Sequence, residues 1–336
     1  MEMFRSEKSD AREEIYAHLT FRISELCKKL EIKKWALLDW PAHSNCGDSA
    51  IWLGTLTEIE RHFQIRPAYV TRESEYPEDL EKLMLEGPVF LLGGGNFGDT
   101  WKRIHDNRLR IIRDFRNRQI IQLPQSINFS SDEYLKETVR AIRNHPDFIL
   151  LVRDAVSFEF AKKNFECEIH LCPDMAYGMK KSWKLSEPST PALCLLRSDH
   201  EKSETTPSSE FLSRYGQVTD WEENFNERKF LLKILNKSNR LLGTRSMTMR
   251  HLERYFRVSA LEKVQRGIDT LSCGNVVITD RLHGHILSSL IGKPHVVFDN
   301  SYGKVVNFIE TWPRDEFTRI ALSSQDLEGY MTSLRS

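Results

Sequence analysis

The sequence predicts an α/β protein with two Rossmann-like, doubly wound domains that face each other across a cleft. Short apolar segments rich in β-branched residues recur along the chain, as buried parallel strands require. Each is followed by a polar or glycine-rich loop and then by a segment with helical periodicity. The 336 residues are also too many for one compact core and suit two domains of about 150 residues each.

The composition favours a globular protein of the cytoplasm. Hydrophobic residues make up 40% of the chain and charged residues 29%, and no apolar run approaches the roughly 20 residues of a membrane helix. The 48 basic and 48 acidic residues give a formal net charge of zero, so the overall charge gives no reason to expect a nucleic-acid partner. The charged N-terminus has no signal-peptide core and the six cysteines form no CxxC pair, so we expect a soluble, reduced protein.

The first predicted domain, residues 1–179, repeats the order strand, loop, helix. An amphipathic helix over 11–30 precedes a first strand over 35–40. Most arginines of the helix predicted over 99–116 are expected on a solvated face, with one or two facing the cleft. Further strands are predicted over 66–71, 88–92, 119–123, 148–152 and 169–171, and further helices over about 48–62 and 132–144 and after residue 154.

Two loops of this domain contain residue types that let the backbone approach a ligand. Asn45, Gly47 and Asp48 form a turn after the first strand, where Asp48 can cap the next helix. A plain strand-to-helix turn explains these residues equally well. The glycine-rich segment at 93–98 follows another buried strand and is neither a P-loop nor a complete dinucleotide fingerprint.

Residues 180–191 are polar and contain prolines, and we interpret them as the linker to a second domain over 192–336. This domain opens with a strand over 192–196 that ends at Arg197. The polar segment 198–209 is expected to be mobile, either as a lid or as a surface insertion, and the two domains are expected to close around a ligand. The other predicted helices of this domain are at 226–242, 260–273 and 304–312.

A βαβ unit organises the second domain. Strands are predicted over 276–279 and 295–298, and the helix between them begins after Asp280, which can cap it. Arg281 and His283 lie at this strand-to-helix turn, where free N–H groups and the helix dipole favour anions. Arg281 adds a planar fork for phosphate or carboxylate, and a histidine exchanges protons near neutral pH. We therefore favour an anion site over the alternative in which Arg281 pairs with an acid and His283 caps the helix.

Short polar or glycine-rich motifs follow the predicted strands throughout the chain. They are Asn45-x-Gly47-Asp48, Gly93-Gly94-Gly95-Asn96, Gln125-Ser126, Arg153-Asp154 with Ser157, Pro173-Asp174, and Arg281-Leu282-His283 with Gly284-His285. In this order they resemble the polysaccharide pyruvyl transferase family, and among its members the bacterial exopolysaccharide ketal-pyruvate transferases. The resemblance covers about residues 35–312.

The resemblance implies a two-domain fold similar to that of the GT-B glycosyltransferases. It also implies phosphoenolpyruvate as the donor substrate, a sugar diol as the acceptor, and no cofactor. The acceptor is expected to be an oligosaccharide or lipid-linked repeat unit, which places the protein at the inner face of the membrane with peripheral membrane contact. The oligomeric state stays open.

The resemblance assigns roles to individual residues. Arg281 and His283 match the family's Arg-x-His motif, in which the arginine holds the donor and the histidine serves as acid or base. A second donor-binding arginine is matched best by Arg197 and less well by Arg153, and the polar segment after Arg197 departs from the family pattern. The remaining expected residues are Gly284 and His285 on the donor side, and Asn45, Gly47, Asp48, Gly93, Gly94, Gly95, Asn96, Gln125 and Asp174 on the acceptor side or in cleft loops.

The residue types suit the implied chemistry. Phosphoenolpyruvate carries a phosphate and a carboxylate, which call for cations or clusters of N–H groups. Ketal formation requires proton transfers that a histidine can perform. No metal site is expected, because His283 and His285 are two residues apart and a helix points them away from each other.

Two other functions stay open at this point. A GT-B-type glycosyltransferase would bind the ribose of a nucleotide sugar through acidic residues, for which Asp299 and Glu310 are the candidates, although their spacing departs from the usual pattern. A non-catalytic sugar- or anion-binding module would bind a ligand without releasing phosphate. A nucleotide-sugar epimerase fits less well, since no Tyr-x-x-x-Lys accompanies a dinucleotide fingerprint.

Overall fold

A computed structural model describes residues 10–30, 32–179, 183–199, 201–203, 206–221 and 245–333. It confirms the α/β class: the described strands form two parallel sheets, with helices packed against them. The helix predicted over 226–242 lies outside the described residues. No helix among the residues described is long and apolar enough to cross a membrane.

The first sheet has the strand order β2-β1-β3-β5-β6-β7, with β4 paired to the second half of β5. Every pair of neighbouring strands is parallel. The order reverses between β1 and β3, and the loops after these two strands therefore flank a crevice at the carboxyl edge. The strands are β1 (Ala36–Trp40), β2 (Tyr69–Arg72), β3 (Val89–Leu91), β4 (Gly94–Gly98), β5 (Ile120–Asn128), β6 (Phe148–Val152) and β7 (Glu168–Leu171).

The glycine-rich segment is not a loop throughout, because it contains β4. Gly94 and Gly98 have φ angles of 139° and 132°, which favour glycine. A Cβ at Gly98 would lie 1.7 Å from the carbonyl oxygen of Asn128, so only glycine lets β4 pair this closely with β5. The strand pattern missed β4 because it contains a single large apolar residue, Phe97.

Four of the six helices described in the first half begin at a side-chain cap, and the third and fourth helices begin without one. The Asn45 side chain accepts a hydrogen bond from the backbone N–H of Gly47, so Asn45, and not Asp48, caps the second helix. Asp154 accepts from the N–H of Ser157 in the same way. The helices are α1 (Ala11–Lys28), α2 (Cys46–Phe63), α3 (Leu80–Leu83), α4 (Lys102–Asp114), α5 (Asp132–Arg143) and α6 (Ala155–Asn164), with 3₁₀ turns at Asp99–Trp101 and Met175–Gly178.

The second sheet has the order β12-β11-β10-β8-β9, again parallel throughout. The order reverses between β8 and β10, so the residues just after these two strands flank the crevice of this sheet. Arg197 follows β8 and Arg281 follows β10. The strands are β8 (Thr190–Leu195), β9 (Gly216–Thr219), β10 (Gly274–Thr279), β11 (His295–Val297) and β12 (Thr318–Ile320).

The helices of the second half include one that is longer than predicted. The expected helix over 260–273 is the final part of α8, because its apolar residues continue a stripe that begins earlier in the chain. The sequence pattern did not predict β9, β12 or the last helix. The helices are α7 (Ser209–Leu212), α8 (Arg245–Ser272), α9 (Leu282–Leu290), α10 (Lys304–Thr311) and α11 (Ser324–Ser333).

One apolar core joins the two halves. The ring of Phe256 on α8 stacks on Trp40 at the end of β1, with 4.2 Å between centroids, and packs edge-on against Trp52 of α2. Lys263 donates a hydrogen bond to the carbonyl oxygen of Pro41 over 2.9 Å. Buried residues of both sheets belong to the same cluster. An apolar contact of this kind opposes the hinge motion that was expected between the halves.

Candidate active site

A cavity of about 520 Å³ lies beyond the carboxyl ends of the strands, and side chains from both halves line it. The two crevices created by the strand orders therefore open into one space. Eight of the residues singled out in the sequence line this cavity. They are Asn45, Asp48, Gly95, Asn96, Arg153, Arg197, Arg281 and His283.

Arg281 is buried at the end of β10, with 6% of its surface exposed. Its Nη2 donates a hydrogen bond to Asp220 Oδ2 over 2.6 Å and lies 4.0 Å from Asp199 Oδ2. Its Nε has no hydrogen-bond partner among the residues described. The prediction that Asp280 caps α9 is wrong. Its side chain accepts a hydrogen bond from the backbone N–H of Arg197 and so ties the ends of β8 and β10 together.

Arg197 is the second buried guanidinium of the cavity, with 8% of its surface exposed. Its Nε and Nη2 donate to the two carboxylate oxygens of Asp199, over 2.8 and 2.7 Å. Its Nη1 lies 2.9 Å from Glu201 Oε2. Both arginines at the crevice of the second sheet thus have carboxylate partners within the chain.

Glu201 connects this arginine to the other half of the protein. Its carboxylate lies 2.7 Å from Lys304 Nζ and accepts a hydrogen bond from Trp101 Nε1 over 2.9 Å. Burial would raise the pKa of Glu201, but Lys304 and Arg197 outweigh burial and lower it to about 2. Glu201 is only 2% exposed, so this part of the segment predicted to be mobile is held in place by ion pairs.

Arg153 reaches the cavity from the end of β6. Its Nη1 donates to Asp174 Oδ2 over 2.6 Å and its Nε donates to Ser126 Oγ over 2.9 Å. A Cβ on Gly95 would lie 2.9 Å from Arg153 Nη2 and 3.0 Å from Lys304 Nζ, so glycine leaves room for both cations.

His283 lies in the first turn of α9, with Nε2 3.5 Å from Asp174 Oδ2. Asp174 is fully buried; burial would raise its pKa, but His283 and Arg153 outweigh burial and hold the pKa of this carboxyl well below its usual range. A Cβ on Gly47 would lie 2.3 Å from the imidazole Cγ. Asp174 and Gly47 thus lie behind the cavity wall and fix the position of the ring.

Gln125 and Asn96 form a supported pair at the glycine-rich segment. Gln125 Nε2 donates to Asn96 Oδ1 over 2.9 Å, and its Oε1 accepts from the backbone N–H of Asn96. Arg108 of α4 is fully buried and donates to both carbonyl oxygens of Asn96. Of the arginines of this helix, Arg103 lines the cavity, in agreement with the prediction that one or two face the cleft, whereas Arg108 supports the cavity wall from behind.

The remaining residues singled out in the sequence do not line the cavity. His285 Nδ1 lies 2.8 Å from His295 Nε2 in the core, where burial lowers the pKa of both rings. Gly284 packs against Thr279. Gly93 and Gly94 support the chain path beneath the wall, with Gly93 against the carbonyl oxygen of Pro124. For His285 and Gly284, direct donor contact therefore has no support in this geometry.

Several cavity residues were not singled out in the sequence. Most of them follow the rule that found the others, because they lie just after a strand: Glu73 follows β2 and Lys304 follows β11 at the start of α10. His43 lies inside the loop after β1, beside residues that were noticed. The missed residues are His43, Glu73, Thr100, Trp101, Lys102, Ile104, Asp199, Glu201, Trp221 and Lys304, whereas Leu282 is the middle residue of the motif Arg281-Leu282-His283.

The two acidic residues considered for a nucleotide-sugar donor do not line the cavity. Asp299 Oδ1 accepts hydrogen bonds from the backbone N–H groups of Asn300, Val305 and Val306 and so holds the start of α10. Glu310 is exposed near the end of that helix. Neither carboxylate is placed to bind a ribose in the cavity.

Comparisons with known proteins agree with the resemblance drawn from the motifs. The family model described as polysaccharide pyruvyl transferase matches residues 45–302. The chain is 31% identical over 295 residues to Pyruvyl transferase 1 of Schizosaccharomyces pombe (strain 972 / ATCC 24843), covering 84% of this chain and 70% of that protein. It is 30% identical over 299 residues to EpsO of Bacillus subtilis (strain 168), provisionally named a pyruvyl transferase, covering 87% of this chain and 91% of that protein.

A solved structure supports the fold. The crystal structure of a functionally uncharacterized protein from Klebsiella pneumoniae subsp. pneumoniae NTUH-K2044 matches with a TM-score of 0.58 and 21% identity. The match covers 90% of this chain and 98% of that one. The similarity therefore extends over both sheets.

Proposed function

The chain belongs to the polysaccharide pyruvyl transferase family and is a transferase, and from this premise we propose that it transfers pyruvate from phosphoenolpyruvate to a sugar diol of an exopolysaccharide. The product is a pyruvate ketal. The observation that carries the proposal is the convergence of Arg281, Arg197, Arg153 and Lys304 with His283 on one cavity.

The charges of the cavity suit an anionic donor. Cationic side chains outnumber carboxylates on its walls, six to four. Phosphoenolpyruvate carries a phosphate and a carboxylate, and guanidinium forks bind such groups in a bidentate manner. The cations are Lys102, Arg103, Arg153, Arg197, Arg281 and Lys304, and the carboxylates are Asp48, Glu73, Asp199 and Glu201.

We propose that Arg281 and Arg197 hold the donor and that Arg153 and Lys304 add to its electrostatic stabilisation. The donor then replaces part of the contacts that Asp199 makes with both arginines. In this proposal His283 exchanges a proton with the methylene carbon of the donor, and Asp174 is the counter-charge beside its ring.

The acceptor enters from the first half in this proposal. Asn45, Asp48 and Asn96 supply the mixture of carbonyl, amide and carboxylate groups that binds sugar hydroxyls, and Trp101 supplies an aromatic face. The acceptor is an oligosaccharide or a lipid-linked repeat unit, handled at the inner face of the membrane. We further propose that the acceptor half and the donor half are arranged as in the GT-B glycosyltransferases; the linker predicted over 180–191 overlaps β8, which already begins at Thr190.

A transfer assay tests the proposal. The protein is incubated with phosphoenolpyruvate and a panel of oligosaccharide acceptors, and released phosphate and product mass are followed together. We expect phosphate release that depends on the acceptor, with a product heavier by one pyruvyl ketal. Transfer from a nucleotide sugar without use of phosphoenolpyruvate would establish a glycosyltransferase, and binding without phosphate release would establish a non-catalytic module.

A further inference from the structure

A second histidine lines the cavity, from the first half of the protein. His43 lies in the loop after β1, and 37% of its side chain is exposed. Its Nε2 is 3.4 Å from Asp48 Oδ2 and 3.6 Å from Glu73 Oε1. Asp48 belongs to the first turn of α2 and Glu73 follows β2, so two separate elements bring a carboxylate to the same ring nitrogen.

This placement determines which nitrogen of His43 is basic. In the neutral ring the proton is stabilised on Nε2, which faces Asp48 and Glu73. The lone pair then lies on Nδ1. A carboxylate that orients an imidazole and stabilises the imidazolium formed during reaction is the arrangement used by histidine bases in hydrolases.

The proposed reaction needs groups in opposite protonation states at the same time. The methylene carbon of phosphoenolpyruvate must gain a proton while an acceptor hydroxyl loses one. One imidazole cannot donate and accept in the same step. Two titratable groups in different surroundings divide such work between them. His283 beside Asp174 and His43 beside Asp48 and Glu73 are the two histidines that line the cavity among the residues described.

We propose that His43 is the general base that deprotonates the acceptor hydroxyl, while His283 is the acid that protonates the methylene carbon. This inference rests on the pyruvyl transfer proposed above. It divides between two residues the proton transfers that the family motif alone assigns to His283.

The protons and electrons of this sequence balance. His43 takes the proton of the first hydroxyl as its oxygen bonds to C2 of the donor, and His283 gives a proton to the methylene carbon, which becomes a methyl group. The bond between C2 and the phosphate oxygen then breaks, and phosphate leaves with the electron pair. The second hydroxyl oxygen bonds to C2 and its proton restores His283, while His43 passes its proton to phosphate. One diol and one phosphoenolpyruvate give one ketal and one hydrogen phosphate.

The charges around His43 predict a pH dependence. Burial and Lys263 on α8 act to lower the pKa of His43, but Glu73 and Asp48 outweigh them and raise it above its ordinary value. A base must be neutral to act, so turnover should fall as the pH drops through this raised pKa. Replacing Glu73 by glutamine removes one of the raising charges and should move the acidic limb of the profile to lower pH.

The test measures kcat and KM of the wild type, His43→Ala and Glu73→Gln over roughly pH 5 to 9. His251→Ala is the matched control, because His251 is an exposed histidine on α8 outside the cavity. We expect His43→Ala to lower kcat about 100-fold, to leave the KM for phosphoenolpyruvate nearly unchanged, and to recover part of its activity with added imidazole. Thermal melts verify that each variant is folded.

The outcomes separate the two proposals. If the wild type forms the pyruvate ketal while His43→Ala keeps a near-normal kcat and an unchanged acidic limb, the proposed role of His43 is overturned. The proposal of pyruvyl transfer then still stands. The same holds if His43→Ala does not fold and Glu73→Gln leaves the acidic limb unmoved. A wild type that forms no pyruvylated product with any acceptor would overturn both proposals.

Discussion

Two regions join the halves of this protein, and they differ in almost every physical property. The apolar contact of Trp40, Trp52 and Phe256 is dry, stacked and continuous with the core. The charged cavity beside it contains buried ion pairs such as those of Arg197 with Asp199 and Glu201. Apolar burial stabilises the fold, whereas buried charges cost desolvation and are weak evidence for stability. We infer that the apolar contact fixes the two halves relative to each other and offsets the desolvation cost of the buried charges in the cavity.

The largest effect should come from breaking the apolar contact. Phe256→Ala removes a fully buried ring and should lower the free energy of unfolding by about 3–5 kcal/mol, measured by urea titration. Val258→Ala is the control, since Val258 on the same helix is 47% exposed and its truncation should change stability by about 0.5 kcal/mol or less. An effect of Phe256→Ala no larger than that of the control would contradict a stabilising role for this contact.

The next effect concerns a charge of the cavity. Glu201→Gln should destabilise the protein by roughly 3 kcal/mol at neutral pH, because it leaves Arg197 and Lys304 with less counter-charge. The same change should tighten the binding of phosphoenolpyruvate. Glu210→Gln, at an exposed position nearby, is the control.

The effect of Glu201 should also depend on pH in a defined direction. Its pKa is about 2 in the folded protein, below the ordinary carboxyl value of about 4.3. Its contribution to stability is therefore present above the ordinary value and is lost as the pH falls toward about 2. Unfolding free energies measured in this range should converge for wild type and Glu201→Gln; a difference that stays constant with pH would contradict the ion-pair account.

A smaller free-energy effect, but a specific one, is expected at His283. His283→Ala should lower kcat about 100-fold or more, with a lesser effect on donor affinity, because the ring exchanges protons and does not bind the donor charge. Steady-state kinetics with His251→Ala as the control measure this. Near-normal turnover would show that His283 packs against Gly47 and takes no part in proton exchange.

Much of this site could be predicted from the sequence, because its residues follow apolar segments that the pattern identifies as strands. Arg197, Arg281 and Asn45 all follow apolar segments, and the strand orders of both sheets bring such positions to one edge. The motif assigned both His283 and His285 to the donor side, although side chains two residues apart on a helix point about 200° away from each other. Packing decides: His283 faces the cavity and His285 pairs with His295 in the core.

The rest of the site depends on contacts between distant parts of the chain. Glu201 and Lys304 are 103 residues apart and meet because both follow strands of the second sheet, and Trp101 of the first half donates to the same carboxylate. Residues 198–209 are expected to be mobile from their composition, since a polar segment carries no apolar anchor, yet Asp199 and Glu201 within it form ion pairs with Arg197 and Lys304. Closure of the halves around the donor stays a prediction, and the apolar contact limits how far they can move.

The central claim is that the cavity binds phosphoenolpyruvate through the guanidinium of Arg281. Thermal melting with and without ligand tests it most directly, because a ligand at about 100 times its Kd stabilises the fold by about 2.7 kcal/mol. We expect phosphoenolpyruvate to raise the Tm of the wild type more than UDP- or GDP-sugars do, and Arg281→Lys, which keeps the charge but loses the fork, to reduce that rise while the exposed control Arg254→Lys does not. A larger rise with nucleotide sugars, or an unchanged rise in Arg281→Lys, would contradict the account.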